Sequence, residues 1–297
     1  MSPPRVTIGL PFLNAERTLA GAVRSVFAQT LADWSLILLD DGSTDGSLAL
    51  ARRLGDPRVT VRSDGAHRGL AARLNELAGL ATAPLLARMD ADDLMHPERL
   101  ARQVAHLDAH PGTDALGTGA YTMDADGTLH GQRWSDPLPA TVAQVLTREL
   151  FVHPTVTFRT AFARANPYDP AYPRAEDLAL WCRIRPEARL AVLPEPLLFY
   201  REPLRPDLQA YATTARSRRR LLADLGAAVP PALRVALQLK AHATVLAYRA
   251  AALAGLQGAL VRRRNRPLSE QDRARAAQAL EVISRTQVPG WPPPRSP

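Results

Sequence analysis

Three carboxylates stand within four positions at Asp90, Asp92 and Asp93. Carboxylates this close repel one another and resist joint ionisation unless a cation sits among them. They are hard oxygen donors with no Cys or His beside them, a set that fits Mg2+ or Mn2+ rather than zinc. The competing account is a solvated acidic turn that caps the next helix. Acidic side chains recur in the turn-rich stretch Asp40-Asp41-Gly42-Ser43-Thr44-Asp45 and in the pair Glu176-Asp177. That pair also suits the first turn of a helix, whose dipole favours negative charge.

The elements that must position these groups alternate in type. Residues 6–10 are a β-rich run stopped by Pro11, and Leu19, Val23, Val26 and Phe27 have the spacing of an amphipathic helix. Residues 34–39 are almost continuously apolar, as parallel strands buried on both faces are. Residues 59–61, 70–80, 84–89 and 97–110 continue as strand, helix, strand and helix. This pattern predicts a doubly wound, mostly parallel α/β sheet. Ligands of such sheets gather at the carboxyl ends of the strands, where segments 11–16, 40–45 and 90–93 all fall.

After about residue 114 the alternation breaks. Residues 116–123 and 128–134 flank Asp126-Gly127 and read as a hairpin. Residues 137–150 and 176–184 read as helices, and 156–158, 190–193 and 197–200 as short strands of a smaller mixed layer facing the first. An Ala-rich helical pattern then runs to about residue 285. The boundaries are therefore set at 1–205 for the main domain (halves 1–114 and 115–205), 206–286 for a helical extension and 287–297 for a proline-rich, disordered tail.

Composition narrows the function classes. With 297 residues, 46% hydrophobic and 22% charged, the chain is globular. The net charge of +8 is carried late, at 216–220 and 262–264, almost wholly by Arg. Few aromatics lie among those residues, which argues against a nucleic-acid partner. Cys182 is the only cysteine, so no disulfide can form within the chain, and a reducing cytoplasm is the expected location. The N-terminus lacks signal-peptide features and no apolar run reaches about 18 residues.

Four motifs, in order, give the first two-thirds of the chain a family resemblance. Leu10-Pro11-Phe12-Leu13-Asn14-Ala15-Glu16, Asp40-Asp41-Gly42-Ser43-Thr44-Asp45, Asp90-Ala91-Asp92-Asp93 and Glu176-Asp177-Leu178-Ala179-Leu180-Trp181 resemble the P-x-x-N-x-E, D-D-G-S-x-D, D-x-D and E-D-x-x-L-W segments of the family 2 glycosyltransferases. These are inverting sugar transferases of the GT-A fold. The resemblance implies a nucleotide-diphospho sugar donor, expected to be UDP-linked, and a glycan or lipid-linked acceptor in cell-surface glycan synthesis. It implies Mn2+ or Mg2+ on Asp92, with Asp90 at the metal or ribose and Asp93 in support. Asp40 and Asp41 would bind the nucleobase and ribose, with Pro11, Asn14, Glu16 and Arg73 shaping the same pocket. Asp177 would be the general base with Glu176 beside it, and His153 and Trp181 would lie near the acceptor. Where the family often has a third acid, the chain has Ala179, and Glu202-Pro203 follows Tyr200-Arg201 where a His is common. Two other readings remain: a sugar-nucleotide nucleotidylyltransferase, which would want a Gly-rich basic signature near residues 11–16, and a catalytically inactive transferase-like binding protein.

The last ninety residues lie outside this resemblance. Leu239, Leu246, Leu253 and Leu260 recur every seven residues. Such a seam can pair two helices in a homodimer or lie on anionic lipid at the inner face of a membrane. The simplest expectation is that it packs on its own domain.

Overall fold

The computed structural model describes residues 3–202, 204 and 208–291. The first half alternates strand and helix: β1 (Val6–Phe12), α1 (Leu19–Phe27), β2 (Trp34–Asp40), α2 (Ser47–Arg52), β3 (Val59–Ser63), α3 (Leu70–Leu80), β4 (Leu85–Arg88), β5 (Leu94–Met95) and α4 (Arg99–Ala109). Next come β6 (Ala115–Met123), β7 (Leu129–Arg133), α5 (Val142–Thr147), a 3-10 turn (His153–Thr155), β8 (Thr157–Arg159), α6 (Thr160–Ala165), α7 (Glu176–Ile184) and β9 (Leu190–Arg201). The chain then forms α8 (Leu208–Asp224), α9 (Pro231–Leu253), α10 (Gln257–Arg262) and α11 (Glu270–Arg285).

One curled sheet carries every strand among the described residues, in the order β3-β2-β1-β4-β8-β6-β9-β5, with β7 paired to β6. The four leading strands are parallel, as their apolar runs predict: β1 and β4 are buried along their whole length and β2 nearly so. The mixed strands, expected as a smaller layer facing these, instead continue the same sheet. β8 joins the free edge of β4 antiparallel and hands the sheet on to β6 and β9. Residues 190–201, expected as two strands split by prolines, form one strand that absorbs Pro194 and Pro196 as register shifts against β6. The helix expected over 137–150 is confined to α5, because Pro137 and Pro139 delay its start until Thr141 caps it.

Helices cover the sheet with their apolar faces. α1 buries Leu19, Ala22, Val23 and Val26, a spacing that puts them on one stripe against β1 and β2. Buried polar groups brace α4 on the same face. Arg99 and Gln103, both without solvent exposure, link α4 to the sheet. The Arg99 guanidinium donates to the Gln103 carboxamide oxygen and to the Arg88 carbonyl, while Gln103 Nε2 donates to the carbonyls of Leu116 and Thr155. These bonds fix the end of β4, where the acidic stretch begins.

The helical extension is anchored at its C-terminal end and bare in the middle. Ala276, Ala279 and Ile283 of α11 join Tyr121, Met123 and Phe199 in a core cluster, and Ser269 with Asp272 forms a capping box at its start. The leucine seam does not pack on its own domain: Leu239, Leu246 and Leu253 are exposed, and α9 instead turns Tyr248 and Ala251 inward. The expected disorder from residue 287 is also corrected over 287–291. Val288 and Trp291 are buried in the main core, and Trp291 Nε1 donates to the Leu50 carbonyl at 3.0 Å. Residues 292–297 lie outside the described residues. Trp291→Ala should therefore lower the unfolding free energy by about 3 kcal/mol in a urea melt; an unchanged midpoint would mean that this segment does not pack.

Candidate active site

Loops from the ends of β1, β2 and β4 meet at one edge of the sheet. The first two are zipped together by main-chain donors. Asn14, in the left-handed region (φ 49°), donates its N–H to Ser43 Oγ at 3.0 Å and accepts from the Thr44 N–H at 2.8 Å. Glu16 accepts from the Gly46 N–H at 3.2 Å and donates its own N–H to Asp45 at 3.1 Å. Pro11 is buried in β1 beneath them.

Asp40 and Asp41 are buried and already well supplied with donors. Asp40 accepts from the Ser43 N–H at 3.0 Å and the Ser63 hydroxyl at 2.8 Å. Asp41 accepts from the N–H groups of Arg68 (2.7 Å) and Gly69 (3.1 Å), and lies 2.8 Å from His67 Nδ1. Gly42 makes this possible: at φ +81° a Cβ would stand 2.9 Å from the backbone of residues 66 and 67. Arg73, expected on the nucleotide, has no exposed surface. Its five N–H donors face Asp41, Asp64, Glu76 and the Ala66 carbonyl. It holds Asp41 in place from behind and presents no donor to the cleft.

The acidic triplet is different. One carboxylate oxygen from each of Asp90, Asp92 and Asp93 lies within 4.8 Å of the others. Asp90 pairs with Arg88 at 2.8 Å. Asp93 is fully buried, accepts the Arg201 N–H at 2.7 Å on one oxygen, and has no partner for the other. Asp92 opens to the cleft, yet protein crowds around it; that desolvation, then the Asp90 charge, pushes its carboxyl up to about 6. Desolvation followed by the charges of Asp92 and Asp90 raises Asp93 as well. An orphaned buried oxygen amid raised carboxyls is what a divalent cation would relieve, and three oxygen donors fit Mg2+ or Mn2+.

Sequence reasoning assigned no role to Arg88, Arg201 or Tyr168. Arg88, buried at the end of β4, keeps its charge: burial works against it most strongly, and Asp90, Tyr168 and Asp93 together outweigh burial. Its field reaches His153, Tyr168, Glu176 and Asp177 as well as the triplet. It therefore stands between the two acidic groups. Arg201 closes β9 over the triplet, donating to the carbonyls of Asp92, Asp124 and Ala125. Its only signal in the sequence is its place after Tyr200.

Glu176 and Asp177 occupy the first turn of α7. Desolvation, then the Asp177 charge, pushes the Glu176 carboxyl up to about 7. Desolvation also raises Asp177, which is half-buried and spends one oxygen on the Leu178 N–H. His153 Nε2 lies 2.8 Å from the Tyr168 hydroxyl, and burial followed by the Arg88 charge lowers its pKa well below the usual histidine range, so the ring is neutral. Trp181, expected near the acceptor, is a core residue. It stacks on Phe158 at 6.0 Å and meets Phe151 and His153 edge-on.

Comparison with known proteins agrees with this geometry. Residues 7–165 match the family described as Glycosyl transferase family 2. The chain belongs to that family. EpsE of Bacillus subtilis (strain 168), named as a glycosyltransferase, is 36% identical over 190 residues, covering 61% of this chain and 67% of its own. An uncharacterized glycosyltransferase of Haemophilus influenzae (strain ATCC 51907 / DSM 11121 / KW20 / Rd) is 28% identical over 214 residues, covering 67% of this chain and 65% of its own. The matched region thus spans about two thirds of these relatives. Among solved structures, the mannosyltransferase PcManGT from Pyrobaculum calidifontis, in complex with GDP-Man and Mn2+, superposes with a TM-score of 0.60 at 20% identity, over 95% of this chain and 86% of its own. S. aureus TarS 1-349 in complex with UDP-GlcNAc gives 0.58 at 16% identity, over 95% and 81%. These establish a GT-A type fold. As a family 2 glycosyltransferase, the chain has its acidic triplet inside the family match and Glu176, Asp177 and Arg201 beyond its end.

Between about pH 4.5 and 7 the folded chain keeps a proton on Glu176 that the unfolded chain releases, so this group's contribution to stability falls as pH rises. Glu176→Gln removes that loss. Between pH 4 and pH 8 the stability of the variant relative to the parent should rise by up to about 3 kcal/mol in urea melts; a difference that does not change with pH would assign the proton elsewhere.

Proposed function

We propose that this glycosyltransferase is inverting and metal-assisted, moving a sugar from a nucleoside diphosphate, UDP by preference, to an acceptor hydroxyl in a single displacement. One observation carries the reading: a carboxylate triplet with an orphaned oxygen faces, across the buried Arg88, a second carboxylate pair with raised pKa values. A divalent ion on Asp90, Asp92 and Asp93 would neutralise the charge developing on the leaving diphosphate. On the opposite side Asp177 is the base, because it is the more open of the pair and keeps one oxygen free for the acceptor proton. A carboxylate in this setting is a stronger base than one in water, since desolvation raises its pKa. Glu176, protonated near neutrality, would donate a hydrogen bond to the acceptor.

The nucleotide would lie along the loops of residues 13–16 and 41–47. Asp40 and Asp41 act there by holding the loop backbone rigid, while any remaining acceptor capacity on them meets base and ribose. Relatives support a glycan or lipid-linked acceptor in surface-polysaccharide synthesis. The succinoglycan biosynthesis protein ExoU of Rhizobium meliloti (strain 1021) is 34% identical over 135 residues. WfgD of Escherichia coli, 30% identical over 102 residues, is named as a transferase from UDP-Glc to a diphosphoundecaprenol-linked sugar. A nucleotide-sugar donor and a lone, buried Cys182 suit the cytoplasm.

The test is a screen of UDP-, GDP- and dTDP-sugars with Mn2+ or Mg2+, reading nucleotide diphosphate release and nucleotide binding. A UDP-sugar should react only with metal present, and Asp92→Asn should abolish turnover. Asp177→Asn should lower kcat by about 10²–10⁴ while donor affinity stays within about twofold. Full activity in that variant would remove Asp177 as the base. No binding of any nucleotide, with or without metal, would sink the transfer mechanism altogether.

A further inference from the structure

Half of the large exposed hydrophobic side chains among the described residues lie on one helix, α9. Of the eight large hydrophobic side chains exposed among the described residues, five lie between positions 235 and 256: Val235, Leu239, Leu246, Leu253 and Leu256. At about 100° per residue, Val235, Leu239, Leu246 and Leu253 fall within about 40° of one another on α9. Their exposures are 55%, 65%, 63% and 94%. The opposite face holds Tyr248 and Ala251 inward, and Leu233 and Leu237 pack on the cluster around Trp181. The stripe therefore points directly away from the catalytic domain. Such a row, left bare, costs stability through exposed apolar area and needs a cover.

Charge identifies the cover. Residues 225–269 contain seven basic side chains and no acidic one. Arg249 borders the stripe one turn before Leu253, and Arg262 and Arg263 stand exposed at the end of α10, which packs on α9. Of the seven, only Arg264 meets a carboxylate among the described residues, Glu202 at 3.4 Å. A second copy pairing through the same stripe would bring like charges together with no acid to offset them. No helix among the described residues is long and apolar enough to cross a membrane. A leucine row with basic neighbours and no acids is the pattern of a helix lying in the headgroup layer.

We infer that α9 and α10 form a docking surface for an anionic lipid bilayer, with Leu239, Leu246 and Leu253 set among the acyl chains and Arg249, Arg262 and Arg263 on the headgroups. This surface is independent of sugar transfer, so its test reads binding alone. The full chain is mixed with vesicles of phosphatidylcholine, or of phosphatidylcholine and phosphatidylglycerol in equal parts, and the bound fraction is measured by flotation. Affinity for the anionic vesicles should exceed that for the neutral ones by about tenfold or more, and should fall as salt shortens the screening length. The triple variant Leu239→Gln, Leu246→Gln, Leu253→Gln should lose about tenfold with an unchanged melting temperature, because these side chains have few contacts in the fold. Arg262→Gln with Arg263→Gln should lose about fivefold or more while keeping the salt response of the remaining charges. Equal binding to both vesicles, or full binding by the leucine variant, would overturn the inference. So would a concentration-dependent dimer that the leucine variant converts to monomer.

Discussion

Crowded negative charge in a partly dry cleft is the constraint to which the rest of the structure answers. Asp90, Asp92, Asp93, Glu176 and Asp177 share the field of one buried cation, Arg88. Desolvation raises every one of these carboxyls whose shift is resolved, and repulsion from neighbouring carboxylates raises Asp92, Asp93 and Glu176 further. Such an arrangement is unstable unless the backbone that carries it is held firmly. That explains the buried braces behind β4, where Arg99 caps the Arg88 carbonyl and Gln103 ties the helix to two more carbonyls. It also explains Arg201, which clamps the far side of the triplet through three carbonyls and one N–H. The protein spends its hydrogen bonds on the backbone and leaves carboxylate oxygens open, which is the condition for binding a cation or a proton there.

The loops of residues 13–16 and 40–47 follow the opposite policy. Asp40, Asp41, Asn14 and Glu16 are engaged with neighbouring loops, and Arg73 is sealed behind Asp41 with every donor in use. Rigid loops need no ordering when a ligand arrives, so less binding free energy is lost on association. One half of the site is thus built to be complete before the ligand comes, and the other half to be incomplete without it. The proposed transfer would draw on both: a fixed seat for the donor, and an electrostatic deficit that the reaction itself fills.

Much of the first half was legible because its signals are local. Apolar runs gave β1, β2 and β4, each acidic loop follows its strand directly, and α7 begins at Glu176 as its pattern predicted. What sequence could not show is set by contacts between distant residues. Arg201 lies more than one hundred positions from Asp92, and no periodicity links them. Arg73 and Trp181 have types that often face ligands, and only the packed structure reveals that both point into protein. The mixed strands were readable one by one, but their continuity with the parallel sheet depends on β8 finding the edge of β4. A Pro-rich composition spoke for disorder near residue 288, and a single buried tryptophan overrides it.

The seven-residue leucine repeat is the sharpest such case. Its period was plain in the sequence, and a repeat of that kind is ordinarily a buried seam. Here the same helix offers a second, weaker apolar face, built from Leu233, Leu237, Tyr248 and Ala251, and the domain takes that one. Leu233 and Leu237 meet the cluster around Trp181, and Tyr248 stacks on Tyr211 of α8 at 4.5 Å. The better face for association is therefore the one the fold leaves outward. It lies within residues 225–269, which carry no acid. Exposed leucines beside basic charge that no acid offsets are what a negatively charged, apolar boundary would attract.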